Sequence, residues 1–219
     1  MINPVFSQIK MGVKFSPQYT WTSTDSKSIS TGSPKINLSY GLVLDYFVSE
    51  NYSFGTEFSI GTYGGSIKPD SVFVKEKNAG TTNMEYQYKI QYINVPFIIK
   101  MRTKEIGYFR YYAEFGLGMS YKIRAKADIT SSVINASNVD VNNPDPVDKY
   151  TLQNNGDLSQ SVNFFRASII FGGGIQYNAF GNTLLVAGFR YDNALNNFTD
   201  ESSWKANMNF VALHLGVMF

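Results

Sequence analysis

Residues 210–219, FVALHLGVMF, place an apolar side chain at every second position. The apolar positions are Val211, Leu213, Leu215, Val217 and Phe219, and the residues between them are Ala212, His214, Gly216 and Met218. A period of two residues is typical of a β-strand with one apolar face. A terminus that packs against nothing is usually polar and disordered. An apolar face that runs to Phe219 therefore raises the question of what it contacts.

The composition limits the answers. Charged residues make up only 16% of the 219 residues, and aromatic residues another 16%, whereas a soluble domain carries about 25% charged residues. The net charge of +2, without a block of lysines and arginines, argues against a nucleic-acid partner. The absence of cysteine excludes disulfides and thiolate metal sites. No segment approaches the ~20 continuous apolar residues that a transmembrane helix needs.

The same two-residue period recurs along the chain and gives eight predicted strands. Besides the last, these are QIKMGVKFSPQY (8–19), KINLSYGLVLDYFV (35–48), YSFGTEFSIGTYG (52–64), the segment 86–101, YFRYYAEFGLGMSYKIRAKA (108–127), the segment 165–177 and the segment 185–192. In the segment 86–101 the apolar positions change phase, from Tyr86, Tyr88, Ile90 and Tyr92 to Val95, Phe97, Ile99 and Met101. A phase change predicts a β-bulge, here near residues 93–94. No comparable segment has a 3.6-residue period, so we expect negligible helix.

The connections between these strands alternate in length. The long ones are TSTDSKSISTGSP (22–34), KPDSVFVKEKNAGTTN (68–83), Asp128–Ser161 and NALNNFTDESS (193–203); the short ones are SEN (49–51), RTKEIG (102–107) and NAFGN (178–182). This alternation predicts an all-β fold, an eight-stranded antiparallel up-and-down transmembrane β-barrel, with short periplasmic turns and long extracellular loops. We expect residues 1–219 to form this single domain and the loop Asp128–Ser161 to be partly mobile.

A closed sheet answers the question posed by the last strand. Its apolar face would contact lipid, and closure leaves no unpaired edge in hydrocarbon. The alternative is a soluble barrel or sandwich with the apolar face inside, but glycine and charge on the opposite face would make a poor soluble exterior. Aromatic residues at the strand ends are expected to form girdles at the two interfaces. The girdle candidates are Tyr46, Tyr52, Phe109, Tyr177 and Phe219 at the periplasmic end and Trp21 and Trp204 at the other.

Polar residues on the opposite face of the strands are expected to line the lumen. They are Lys10, Lys14, Asp45, Glu57, Arg110, Glu114, Arg166, Arg190, Asp192 and His214. Eight strands enclose an interior that side chains just fill, and charges of both signs should pair there because an unpaired buried charge is costly. We expect Arg166 and Arg190 to complete a network with Glu57 or Glu114. The surplus of basic groups leaves a narrow anion-preferring channel or transporter as the alternative.

Motifs that carry chemistry are few. His214 is the only histidine, and a hydrogen-bonded lumen histidine is the alternative to a catalytic one. The segment DVNNPDPVD (140–148) has oxygen ligands that could hold Ca²⁺, but it lacks the terminal Glu of an EF-hand loop, so a solvated loop is favoured. We therefore expect no catalytic residue, cofactor or metal site. The prediction is a non-enzymatic structural or interaction protein whose long loops contact a partner or ligand.

The run YINVPFIIKMRTKEIGYFRYYAEFGLGMSYKI, residues 92–123, resembles the central hairpin of the PorT-like outer-membrane β-barrel family of Bacteroidetes. In that pattern an aromatic-apolar-x-x-Pro strand is followed by a short turn and a Tyr/Gly-rich strand. The resemblance implies a location in the outer membrane of a Gram-negative, Bacteroidetes-like bacterium. It also implies contact with lipid and recognition of the C-terminal strand by the barrel-insertion machinery.

The resemblance has two further consequences. An accessory role in type IX protein secretion becomes another alternative function, with an extracellular or secretion-system protein as partner. An exported protein also needs a signal peptide. VFSQ (5–8) has the small residues of a cleavage site, so residues 1–7 are expected to be either a signal-peptide remnant or a disordered tail.

Overall fold

The computed structural model describes residues 8–24, 29–69, 82–134, 147–157, 161–179, 181–199 and 205–219. Within these ranges the chain forms eleven β-strands. They are β1 (Ile9–Thr24), β2 (Ile29–Thr31), β3 (Lys35–Phe47), β4 (Tyr52–Pro69), β5 (Thr82–Asn94), β6 (Phe97–Arg102), β7 (Phe109–Ile134), β8 (Val147–Asp157), β9 (Phe165–Asn178), β10 (Leu184–Ala194) and β11 (Ala206–Met218). The tail 1–7, positions 140–146 of the calcium-loop candidate, Trp204 and the side chain of Tyr86 lie outside the described part of the chain.

The strands pair antiparallel in a circuit that returns to its start. β1 pairs with β3, β3 with β4, β7 with β9, β9 with β10, and β10 with β11, which pairs back with β1. β5 and β6 together fill the place between β4 and β7. No helix of the described residues is long and apolar enough to cross a membrane.

Eleven strands form where eight were predicted, for two reasons. The predicted strand 86–101 is divided at Val95–Pro96 into β5 and β6, because proline has no N–H to donate to a ladder. β2 and β8 lie in segments that were predicted as loops; β2 pairs with β4, and β8 pairs with β7.

The prediction of a loop over Asp128–Ser161 was therefore wrong at its ends. Residues 128–134 continue β7, and β8 returns alongside them. Backbone pairing between two long strands satisfies the peptide groups without any apolar face, so a polar composition does not exclude a hairpin. The short connections are tight turns: Gly107 and Gly181 adopt φ values of +67° and +59°, a region that glycine enters without steric cost.

Side chains alternate between the outside and the inside of the circuit. In β3 the even-numbered apolar residues from Ile36 to Tyr46 are exposed, whereas Ser39, Val43 and Asp45 are buried. β7 repeats the pattern, with Phe115 and Leu117 exposed and Glu114 buried between Ala113 and Phe115. The larger apolar side chains of these strands thus lie on the outer surface.

The facing predicted for the first half of the segment 86–101 was wrong. Tyr88, Ile90 and Tyr92 were expected outside but are almost fully buried. The register against β7 shifts between Gln91 and Tyr92, close to the predicted bulge, and the phase change turns this apolar row inward rather than keeping it outside. It joins an interior group, here called the apolar cluster: Tyr63, Ile67, Tyr88, Ile90, Tyr92, Ala125, Ala127, Val162, Phe198, Ala206, Met208, Phe210 and Ala212. This cluster fills the end of the circuit where the long connections lie.

Candidate functional site

Four charged residues meet in the middle of the interior and form what we call the central cluster. Arg190 donates from Nε to Glu114 Oε1 at 2.7 Å. It donates to both oxygens of Glu57, from Nη1 to Oε2 at 2.9 Å and from Nη2 to Oε1 at 2.8 Å. Lys14 Nζ also donates to Glu57 Oε2. All four side chains are buried.

The central cluster joins strands on different sides of the circuit. Lys14 lies on β1, Glu57 on β4, Glu114 on β7 and Arg190 on β10. The planar guanidinium matches a carboxylate with two parallel N–H groups, which fixes the orientation of Glu57 while the remaining Nε holds Glu114. One arginine therefore cross-links three separate strands through the interior.

A second ion pair lies toward the short turns. Lys100 Nζ donates to both oxygens of Asp45 at 2.9 and 3.0 Å, and Asp45 is fully buried. The predicted lumen residues did not include Lys100. After the phase change in the segment 86–101, only the outward, apolar positions were assigned a face, and the polar positions between them were not. The signal was present, since a lysine between the outward-facing Ile99 and Met101 must point inward.

A third ion pair lies toward the long connections. Arg166 Nη2 donates to Asp192 Oδ1 at 2.5 Å and to Met208 O at 2.8 Å. Its guanidinium also lies 5.5 Å from the ring centre of Tyr63, within the range of a cation–π contact. Arg166 was expected to join Glu57 or Glu114 but instead pairs with Asp192 on the adjacent strand β10.

His214 forms the nearest approach to a catalytic arrangement. Its Nδ1 is hydrogen-bonded to Ser16 Oγ at 2.7 Å, and its buried Nε2 has no hydrogen-bond partner among the described residues. A serine nucleophile needs a histidine oriented by a third group and space for a substrate. The adjoining cavity, lined by Ser16, His214 and Arg190 among others, measures about 20 Å³. That volume holds about one water molecule, so the pair has no room for a substrate.

The two remaining predicted lumen residues lie at the rim by the short turns. Lys10 is partly exposed and donates to the backbone oxygen and Oδ1 of Asn182, both at 2.9 Å. Arg110 donates from Nη2 to Glu105 Oε2 at 3.1 Å, and both side chains are partly exposed. Within the described ranges, no group of three or more histidine, cysteine, aspartate or glutamate side chains could hold a metal ion.

The girdle candidates that the structure describes lie at the surface. Tyr46, Tyr52, Phe109, Tyr177 and Phe219 are exposed apolar side chains at the end of the circuit that carries the short turns. Phe109 and Tyr177 pack with their ring centres 5.2 Å apart. Toward the other end, Trp21 stacks on Tyr191 with the ring centres 6.2 Å apart.

The chain matches a protein-family model and is similar to solved structures of outer-membrane proteins. The family described as "Outer membrane protein beta-barrel domain" matches residues 5–200. No functionally curated protein matches the chain.

Among solved structures, Neisserial surface protein A (NspA) is 14% identical, with 95% of each chain covered and a TM-score of 0.45. The outer membrane protein AlkL is 13% identical, with 100% of this chain and 93% of that chain covered and a TM-score of 0.49. The outer membrane protein OprG from Pseudomonas aeruginosa is 10% identical, with 96% and 95% covered and a TM-score of 0.41. Similarity at this level says nothing about function.

Proposed function

The chain belongs to the family of outer membrane protein β-barrel domains, and from this premise we propose that it is an eight-stranded outer-membrane barrel with a closed interior. In this proposal β5 and β6 count as one interrupted strand, and β2 and β8 are extensions beyond the barrel. The circuit of pairings from β1 through β3, β4, β7, β9, β10 and β11 supports that count. The protein would act as a non-enzymatic structural or interaction protein through its external surfaces.

The observation that carries the closed interior is the bridging by Arg190. Its guanidinium joins Glu57 and Glu114 across the middle of the circuit, and the spaces on either side measure about 20 and 30 Å³. Each is large enough for about one water molecule and too small for a hydrated ion path. The apolar cluster fills the interior at the end with the long connections, where Tyr88 packs on Phe198 with ring centres 5.0 Å apart.

Planar-bilayer recording tests the closed interior. We expect the unmodified protein to be silent. Glu114→Ala should produce measurable conductance, because it removes one anchor of Arg190 and opens space beside it. Glu105→Ala is the matched control, since it removes the same charge from a partly exposed rim position. Stable anion-selective openings in the unmodified protein would contradict the closed interior and favour the narrow anion channel.

We also propose the orientation and the partners. The short turns and both chain ends would face the periplasm, the long connections would face outward toward a protein partner or ligand, and the last strand would engage the insertion machinery. The resemblance of residues 92–123 to PorT-like barrels supports a Bacteroidetes-like source and keeps an accessory role in type IX secretion as a second candidate. Co-purification from native membranes tests this choice, since recovery of secretion components with the barrel would favour the second candidate.

A further inference from the structure

Three cationic residues lie on the rim of the barrel at the short turns. Lys10 lies at the start of β1, Arg102 at the end of β6 and Arg110 at the start of β7. Each lies on the inward face of its strand, because residues two positions apart on a strand share a face. The residues two positions along from them toward the middle of the barrel are buried; these are Gly12, Lys100 and Tyr112. We call these three cations and the turns around them the short-turn mouth.

The register of the strands brings the two arginines close together. Arg102 is paired with Tyr112 across β6 and β7, and Arg110 lies two residues before Tyr112. Diagonal neighbours of this kind are about 7–8 Å apart, which is near enough for two guanidinium groups to contact one small ligand. Lys10 lies within the electrostatic reach of both arginines.

Carboxylates neutralise this mouth only in part. Of the six ion pairs among the described residues, one includes a cation of the mouth: Arg110 with Glu105, at 3.1 Å. Lys10 donates its hydrogen bonds to the backbone oxygen and Oδ1 of Asn182, which carry no charge. Arg102 donates from Nε to the backbone oxygen of Glu50 at 2.7 Å and stacks 3.9 Å above the ring of Phe47.

One buried donor at the mouth also lacks a partner. Arg110 Nε is buried and makes no hydrogen bond within the described part of the chain. A buried donor of a charged group that is left unpaired is costly, so an acceptor that reaches this N–H would be stabilising. Beneath the mouth the buried carboxylate of Asp45 is held by Lys100, and together with Glu50 it attracts Arg102 without forming an ion pair with it.

We propose that the short-turn mouth binds a phosphate-type oxyanion, held by Lys10, Arg102 and Arg110. Several oxygens on one anion suit the fork of a guanidinium and the point charge of a lysine together. Two sources carry this chemistry: the phosphodiester of a phospholipid headgroup and free phosphate. The exposed aromatic residues Phe109 and Tyr177 beside the mouth mark the level of the membrane interface, where headgroup phosphates lie. The side of the membrane rests on the proposed function, whereas the site itself does not.

Titration of the purified barrel with inorganic phosphate in an uncharged maltoside detergent at low salt, measured by calorimetry, tests the proposal. We expect Arg102→Gln and Arg110→Gln each to weaken binding roughly tenfold or more, because each removes charge-assisted hydrogen bonds. Lys104→Gln is the matched control: it removes one positive charge from an exposed position of the same turn and should change affinity by no more than about twofold. Circular dichroism on heating establishes that each variant is folded.

Two results would overturn the proposal. One is the absence of phosphate binding by the unmodified protein. The other is equal weakening by all three substitutions, which would mean diffuse attraction to positive charge. A second titration in maltoside micelles that hold no phospholipid, with and without added phosphatidylglycerol, separates the sources. Competition by the anionic lipid assigns the site to a headgroup, and its absence assigns the site to free phosphate. Both titrations are independent of conductance and of orientation in cells, so their failure is distinguishable from failure of the closed barrel.

Discussion

Arg190 is the side chain on which the interior depends most. Its removal would leave Glu57 and Glu114 buried with much less compensating charge, since among the described residues Lys14 alone would still form an ion pair with Glu57. Breaking a buried ion pair by removing one partner costs about 3–5 kcal/mol. We therefore expect Arg190→Met to lower the free energy of unfolding by about that amount, measured by urea titration of the barrel in lipid vesicles.

Two further variants serve as controls for this prediction. Arg110→Met breaks a partly exposed pair and should cost no more than about 1 kcal/mol. The combined change of Arg190→Met and Glu114→Gln leaves the pair of Lys14 with Glu57 intact, removes the stranded charge of Glu114, and should recover most of the loss. If the combined variant is less stable than Arg190→Met alone, the loss comes from packing rather than from uncompensated charge.

Gly118 makes room for a hydrogen bond to the third ion pair. A Cβ built on Gly118 would lie 2.1 Å from Ser168 Oγ, and that hydroxyl donates to Asp192 Oδ2 at 3.0 Å. Gly118→Ala should therefore displace the hydroxyl and cost about 1.5–3 kcal/mol, the value of a hydrogen bond to a charged group. A double-mutant cycle with Ser168→Ala checks this, because the double variant should be about as stable as Ser168→Ala alone. Additive losses would mean that the two positions do not interact.

At the scale of the strand, a period of two residues predicted which segments pair but not always which face is buried. β3 and β7 carry unbroken alternation and little charge on their apolar side, so their outward face follows from the pattern alone. In β5 the row of Tyr88, Ile90 and Tyr92 is as apolar as any outward row, yet it is buried. Aromatic and aliphatic residues suit lipid and the interior equally well, and only the shift at Gln91–Tyr92 decides between them. The sequence located that shift to within about two residues but could not give its direction.

The absence of cysteine from the chain allows a direct test of β5 and β6. Single cysteines at Ile90 and Ile99 differ only in facing, since Ile90 is fully buried and Ile99 is exposed on the outer surface. A lipid-soluble maleimide should label Ile99→Cys in vesicles and leave Ile90→Cys unlabelled until the protein is denatured. Phe97→Cys, on the same outer face as Ile99, serves as the positive control. Equal labelling of the two isoleucine positions would restore the facing first predicted.

At the scale of the whole molecule, the sequence indicates which charged residues are buried more readily than it indicates which of them form ion pairs. Eight of the ten predicted lumen residues are buried, because inward position follows from alternation. Which charge meets which depends on how strands far apart in sequence are arranged across the interior. Arg190 reaches Glu57 over 133 positions, whereas Arg166 meets Asp192 from the adjacent strand. The sequence offers no measure of the tilt and register that decide between these partners.

The orientation of the whole barrel remains a prediction that intact cells can check. Strands β7 and β8 extend the long-connection end well past the apolar cluster, and the proposed function places that end outside the cell. A protease site inserted between β7 and β8, in residues 135–146, should therefore be cut when protease is added to intact cells. The same site inserted in the short turn beside Gly107 should be cut only after the outer membrane is opened, because the protease cannot otherwise reach the periplasm. The reverse pattern would mean that the long connections face the periplasm, and the short-turn mouth would then lie at the cell surface.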